Sequence, residues 1–313
     1  MTDIEIEHKT VQKLIIDDDQ AGQRIDNFLL CYLKNVPKTR IYKMLRKGEV
    51  RVNGGRIKPP YRLQTDDQVR VPPVYQKKAE DGPSAALDDV KRLESCIVYE
   101  SDRLIVLNKP SGIAVHGGSG LSFGVIEAMR SLRPEQKYLE LVHRIDRETS
   151  GCLLIAKRRS TLRYLQLQFR ERTIKKTYHA VVAGHWPKTL KKVSLALDKL
   201  NSKSGEKLTV VSEDGKPSLT YFKILDTYND SCLVEASPKT GRTHQIRVHC
   251  AASGHVICGD SKYDVNNVAP FSERLFLHAF SIEFKETPES NFQTVSASVD
   301  LKWSNRIKKI ANK

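Results

Sequence analysis

The segment His143-Arg-Ile-Asp-Arg-Glu-Thr-Ser-Gly is the densest run of polar and charged residues beyond residue 95. It runs directly into the apolar stretch Cys152-Leu-Leu-Ile-Ala, which places Asp146 in a loop at the start of a strand. Arg144 and Arg147 flank it, and nearby cations favour the ionised carboxylate. An ionised Asp suits a nucleophile or a base, not a general acid. The same residue types also suit an ion-paired turn, and composition alone does not separate the two. A second cluster, Thr240-Gly-Arg-Thr-His-Gln-Ile-Arg-Val-His, opens a helix after a glycine turn, where free amides favour anions. It brings Arg242, His244, Arg247 and His249 into a segment that also carries core aliphatics. His244 and His249 stand about 140° apart around a helix, so no shared metal is expected. Gly117-Gly-Ser-Gly-Leu-Ser-Phe-Gly holds neither a dinucleotide fingerprint, a Walker lysine nor a hydrolase elbow. A serine-hydrolase triad of Ser119, His143 and Asp146 would therefore lack its elbow.

The elements that must hold these clusters are mostly strands. Candidates are 97–99, 104–108, 152–156, 176–183, 217–226, 231–236 and 275–284, with a hairpin turn at Asn229-Asp230. One helix begins near Ser160 and carries Leu162, Leu165, Leu167 and Phe169. Another begins near Thr243, carries Ile246, Val248 and Cys250, and ends before Gly254. Lys302-Trp-Ser-Asn-Arg-Ile-Lys-Lys-Ile reads as a short basic helix. The pattern is that of a mixed, mainly antiparallel α+β domain over residues 95–313.

The chain has 313 residues, 39% of them hydrophobic, which suits about two domains and excludes full disorder. No apolar run exceeds the six residues from Phe28 to Leu33, against roughly 20 for a membrane span. The acidic Met1-Thr-Asp-Ile-Glu-Ile-Glu lacks an apolar signal core, so export is not expected. Six scattered cysteines form neither a disulfide framework nor a zinc pattern and read as reduced thiols in the cytoplasm.

The net charge is +15, and residues 34–62 hold ten Lys or Arg against the single acid Glu49. Such an excess points to a polyanionic partner. Within this block Pro37 opens a helix with Ile41, Met44 and Leu45 as its apolar stripe, and Gly48 stops it. Lys38, Arg40, Lys43, Arg46 and Lys47 fill the rest of the circumference. Glu49-Val-Arg-Val, the turn Asn53-Gly54-Gly55 and Val69-Arg-Val add strands, and Arg24-Ile-Asp-Asn-Phe-Leu-Leu an earlier helix. Residues 1–19 read as an N-terminal extension, 20–75 as a small α-plus-hairpin module and 76–94 as a linker.

Over 20–75, Ala21-Gly-Gln-Arg-Ile-Asp-Asn-Phe-Leu, Val36-Pro-Lys and Arg46-Lys-Gly-Glu-Val-Arg-Val-Asn resemble the S4 RNA-binding domain. The resemblance implies that Lys38, Arg40, Lys43, Arg46, Lys47 and Arg51 meet RNA phosphates, contacts largely blind to sequence. The His143 segment closely resembles the H-R-L-D-x-x-T-S-G signature of the RluA family of pseudouridine synthases, with Ile145 for Leu. Asn108-Lys-Pro-Ser-Gly, Lys176-Thr-Tyr, Gly241-Arg-Thr-His-Gln-Ile-Arg-Val-His and Leu275-Phe-Leu-His-Ala agree in order. Ala114-Val-His-Gly-Gly-Ser-Gly-Leu-Ser-Phe-Gly-Val-Ile-Glu and Arg133-Pro-Glu resemble a bacterial subgroup acting on several uridines of 23S rRNA.

The family resemblance implies an α+β, mainly antiparallel mixed-sheet catalytic domain behind a small N-terminal α/β S4 domain. It implies isomerisation of uridine to pseudouridine without cofactor or metal. Asp146 matches the essential aspartate, Tyr178 the tyrosine that stacks on uracil and is a candidate to take the C5 proton, and Arg247 the cation paired with the aspartate. Leu277 matches an apolar residue beneath the site. Arg144, His143, Arg242 and His244 are candidate substrate contacts. The implied partner is 23S rRNA in the large subunit or its precursor, with no membrane, no required protein partner and a monomeric chain. The alternative is an idle RNA-binding or ribosome-assembly factor on the same scaffold.

Overall fold

The computed structural model describes residues 6–33, 36–77, 84, 88–117, 123–136, 138–201, 207–271 and 273–311. The chain divides into two units, Met1–Asp81 and Gly82–Lys313.

The first unit contains β1 (Ile6–Lys9), β2 (Gln12–Ile15), α1 (Ile25–Tyr32), α2 (Lys38–Lys47), β3 (Arg51–Val52), β4 (Gly55–Arg56), β5 (Gln68–Val71) and β6 (Val74–Lys77). A four-stranded sheet runs β2-β5-β3-β4, and β1 pairs with β6. In α2, Ile41, Met44 and Leu45 are buried against Ile25, Leu29 and Val69, as their spacing requires. Gly48 closes the helix at φ 69°, and its N–H and that of Glu49 donate to the carbonyls of Leu45 and Met44. Asn53 and Gly54, both at positive φ, make the two-residue hairpin turn between β3 and β4. Residues 12–16, read from sequence as part of an extension, join this unit. β2 pairs with β5, and Ile16 is fully buried because its aliphatic side chain completes the small core.

The second unit contains α3 (Asp88–Glu94), β7 (Ile97–Glu100), β8 (Leu104–Lys109), α4 (Val125–Leu132), β9 (Glu140–Leu141), β10 (Ser150–Ala156) and α5 (Arg159–Glu171). It continues with β11 (Lys175–Ala183), β12 (Lys192–Asn201), β13 (Lys207–Val211), β14 (Lys216–Thr227), β15 (Ser231–Pro238), α6 (Gln245–Ala252), β16 (Leu277–Phe284), β17 (Gln293–Ser296) and α7 (Leu301–Ala311). One sheet runs β13-β12-β14-β15-β11-β16-β10-β8-β7, with β17 on β16 and β9 on β10. Every pairing is antiparallel except β10 with β16, so the sheet is mixed and mainly antiparallel as the alternation implied. That parallel pair matters for the site: Gly151 sits opposite Ala279 at φ 106°, where a Cβ would lie 2.2 Å from the Ala279 carbonyl oxygen. Only glycine lets the two strands meet there.

Some sequence expectations are corrected. Residues 88–94, expected as linker, form α3, with Val90 and Leu93 buried in the same core as Val125 and Met129 of α4. Of the rest of that expected linker, Gln76 and Lys77 belong to β6, paired with β1, whereas 78–83 and 85–87 lie outside the described residues, as do 118–122 of the glycine-rich segment. In α5, Leu165 is buried, whereas Leu167 turns to the outer face. The inner place belongs to Gln168, whose amide exchanges two hydrogen bonds with the backbone of Lys285. That pairing satisfies a polar side chain at almost no exposure. The β12–β13 hairpin, α4, β9 and β17 were not anticipated. Among the described residues no helix is long and apolar enough to cross a membrane.

Candidate active site

A cavity of about 360 Å³ opens where the loop before β10, the middle of β11, the start of β16 and the N-terminus of α6 converge. It is within the size range of small-ligand pockets. Asp146, Tyr178, Arg247, Leu277, His143, Arg144, Arg242 and His244 all line it. Residues up to about 130 positions apart in sequence are thus brought together.

The loop holding Asp146 is clamped from below by the Asn108-Lys-Pro-Ser-Gly segment. The fully buried Lys109 ammonium donates to the carbonyls of Pro110, Ile113 and Arg147 at 2.8, 2.8 and 2.9 Å. Ser111 donates to the Glu148 carbonyl, and Gly112 and Arg147 exchange two further bonds. Three acceptors for three ammonium protons make this a satisfied buried cation, though burial pulls it down to about 7.

Asp146 Oδ2 lies 3.8 Å from Arg247 Nη1 and 3.9 Å from His244 Nε2. Arg247 is fixed by a fork-to-fork pair with the buried Asp260, at 2.8 Å from Nε and 2.6 Å from Nη2. The backbone N–H groups of Lys262 and Tyr263 also donate to Asp260. Burial works against the charge of Arg247, but the Asp260 bonds and the field of Asp146 outweigh it and hold its pKa above the ordinary value. One guanidinium edge is therefore committed to Asp260 and the other faces Asp146.

His244 precedes α6 at φ 51°, a conformation unfavourable for a non-glycine residue. Its Nδ1 is 2.8 Å from the Tyr263 hydroxyl, which also accepts the Thr209 N–H. A phenol that accepts from Thr209 has its own proton for Nδ1, which leaves Nε2–H facing Asp146. Burial lowers the His244 pKa, keeping the ring neutral near pH 7. Gln245 fixes the preceding turn, accepting from the Arg242 N–H and the Thr240 hydroxyl and donating to Leu219 and Thr220.

Tyr178 is held well above its ordinary pKa, first by burial and then by the charge of Asp146, so it is a neutral phenol. Leu277 is 3% exposed and contributes an apolar wall. His143 accepts the Leu154 N–H and packs against Phe169 with ring centroids 4.8 Å apart and planes tilted by 33°; burial pushes its pKa down to about 3. Its ring thus also does a structural job. Arg144 is exposed at the cavity rim, and Arg242 bonds the Pro217 carbonyl. In the first unit Lys38, Lys43, Arg46, Lys47 and Arg51 are exposed, while Arg40 pairs with Glu49 at 3.0 Å.

Sequence reasoning missed Asp260, Tyr263, Thr209 and Gln245, and gave Lys109 no role. Asp260 and Tyr263 lie 13 and 16 residues beyond Arg247, and no local spacing ties an acid in a loop to a helix that far back. A buried Arg needing a partner was the one available signal.

The family model described as RNA pseudouridylate synthase matches residues 103–252, and the S4 domain matches 23–69. The chain is 54% identical over 304 residues to a protein of Pasteurella multocida named ribosomal large subunit pseudouridine synthase C, covering 95% of this chain and 93% of that one. The Escherichia coli K12 protein of the same name is 48% identical over 314 residues, with 98% of both chains covered. Among solved structures, human RNA pseudouridylate synthase domain containing 4 aligns with TM-score 0.59 at 24% identity, over 71% of this chain and 95% of that one. That likeness shows the shared fold. At such identity over nearly the full length, the chain belongs to the RNA pseudouridylate synthase family, with an S4 domain ahead of its catalytic domain.

Proposed function

We propose that the protein converts several uridines of 23S rRNA to pseudouridine, with Asp146 as the catalytic group. The observation that carries this reading is the Asp146 carboxylate held 3.8 Å from a cation that Asp260 fixes, in a cavity walled by Tyr178 and Leu277. The relatives at 48–54% identity, named for large-subunit rRNA, supply the substrate class.

The target base must leave its stack, at a cost of a few kcal/mol, and enter the cavity. Tyr178 and Leu277 offer it an aromatic and an aliphatic surface, and Arg144 at the rim meets the strand from which it came. In the net reaction the N1–C1′ bond breaks, the C5–C1′ bond forms, C5 loses its proton and N1 gains one. Atoms and charge balance within the nucleotide, so no co-reactant is needed. Arg247 and neutral His244 orient Asp146 and keep its negative charge directed at the nucleotide. As a neutral phenol next to that charge, Tyr178 serves as a stacking surface rather than a resident base. In the first unit, Lys38, Arg40, Lys43, Arg46, Lys47 and Arg51 contact phosphates, with Arg40 exchanging Glu49 for RNA. The chain acts in the cytoplasm, as a monomer.

The test is carbodiimide mapping of unmodified 23S rRNA after treatment with the protein. Reverse-transcription stops at a few discrete uridines are expected. Intact RNA binding with no stops would instead support a binding factor that has lost its chemistry.

A further inference from the structure

Lys176 and Tyr178 are two apart on β11, so they share one face of the strand, and both line the cavity. The neighbouring Lys175 points the other way and pairs with Glu283 at 2.6 Å. Lys176 has no such partner among the described residues. Its ammonium lies 5.8 Å from the Phe169 ring centroid, beside the buried His143. The cavity's carboxylate, Asp146, is taken up by Arg247 and His244. Burial alone pushes Lys176 down to about 8, with no acid offsetting it, and its charge in turn depresses His143.

A half-buried cation without a counter-ion is unfavourable in the empty protein and favourable once an anion arrives. The cavity's occupant brings one. A uridine within an RNA strand carries a phosphodiester on either side, and the two-residue rise of about 7 Å along β11 separates the Tyr178 and Lys176 positions by roughly one nucleotide's reach. We propose that Lys176 is the seat of one phosphodiester flanking the target uridine, so that Tyr178 holds the base while Lys176 holds its backbone. This rests on the reading of the cavity as the uridine site. The contact would set how deeply the flipped nucleotide enters, since it ties the backbone to the same strand that carries the stacking ring.

The experiment uses the full chain and an RNA fragment containing one mapped target uridine, with the phosphate on its 5′ or 3′ side replaced, one at a time, by a neutral methylphosphonate. Lys176→Gln should lower kcat/KM roughly tenfold or more, with the loss falling mainly on KM. In the wild-type protein one of the two methylphosphonates should cause a similar loss, and the same replacement should cost Lys176→Gln nothing further. Lys176→Arg should recover most of the activity. Lys176→Met should unfold in urea at the same or a higher midpoint, because it removes a half-buried charge that has no counter-ion among the described residues; a purely structural lysine would lower it. Additive losses at both phosphates, with a wild type that converts the unmodified fragment, would overturn the inference alone. A wild type that leaves that uridine unchanged would overturn the uridine reading and the inference with it.

Discussion

The basic helix α2 and the cavity of the second unit both offer cations to a polyanion, but they are built in opposite ways. On α2, Lys38, Lys43, Arg46 and Lys47 are exposed, and the helix is held by buried Ile41, Met44 and Leu45 and by the Tyr42 hydroxyl donating to Asp26. Any one of these cations can be lost without disturbing the core beneath. Around the cavity, Lys109 and Arg247 are buried: all three Lys109 ammonium protons meet carbonyl oxygens, and Arg247 commits Nε and Nη2 to Asp260. Exposed cations attract RNA at long range with little geometric demand, whereas buried ones fix the position of a reacting group. Affinity and chemistry should therefore be separable by mutation.

The strongest challenge to this contrast is to break the buried pair. Asp260→Ala leaves Arg247 charged and buried without its fork-to-fork partner, and should destabilise the protein by about 3–5 kcal/mol in urea unfolding. Replacing both residues, as Arg247→Met with Asp260→Leu, should restore much of that stability while activity stays lost, because Asp146 then has no cation beside it. Restored activity in the double variant would show that Arg247 serves only the fold.

Acid should also separate the two units. Burial pushes His143 down to about 3, and His249 and His278 down to about 4, so the folded protein holds them neutral. The unfolded chain binds these protons first, so the stability they contribute is complete above pH 6.5 and is lost as pH falls toward 4. Three such groups give a loss on the order of 5 kcal/mol between pH 7 and pH 5. Both tryptophans, Trp186 and Trp303, lie in the second unit, so their fluorescence follows its unfolding specifically. A pH-independent midpoint would contradict this assignment.

The smallest effect belongs to the exposed helix. Replacing Lys43, Arg46 and Lys47 together by Ala should raise the KM for RNA and reduce the slope of log affinity against log salt by about 2–3. Stability should change by less than about 0.5 kcal/mol per site. An unchanged salt slope would remove α2 from the RNA interface.

The same contrast explains what was legible in the sequence. The α2 helix could be read directly, because its apolar stripe, its proline entry and its glycine exit are all local. So could Asp146 at the mouth of β10, since a polar run followed by five apolar residues marks a loop entering a strand. The cavity's supports were hidden because they are long-range. Asp260 matters only once α6 is folded against it, and Tyr263 only once Thr209 on the β12–β13 hairpin is beside it. Gln168 was hidden for another reason: a polar residue amid leucines reads as outward-facing until its backbone partners on Lys285 are known. Helix α3 was masked by its surroundings, being a seven-residue helix with only Val90 and Leu93 to bury.

The most direct measurement is single-turnover conversion of one mapped uridine by wild type and Asp146→Asn, alongside equilibrium binding of the same RNA. The isosteric change keeps the cavity's shape and removes only the charge that Arg247 and His244 direct. The account predicts at least a roughly thousandfold slower conversion with a dissociation constant within a fewfold of wild type. Conversion at a comparable rate would contradict it, as would a loss of binding as large as the loss of rate.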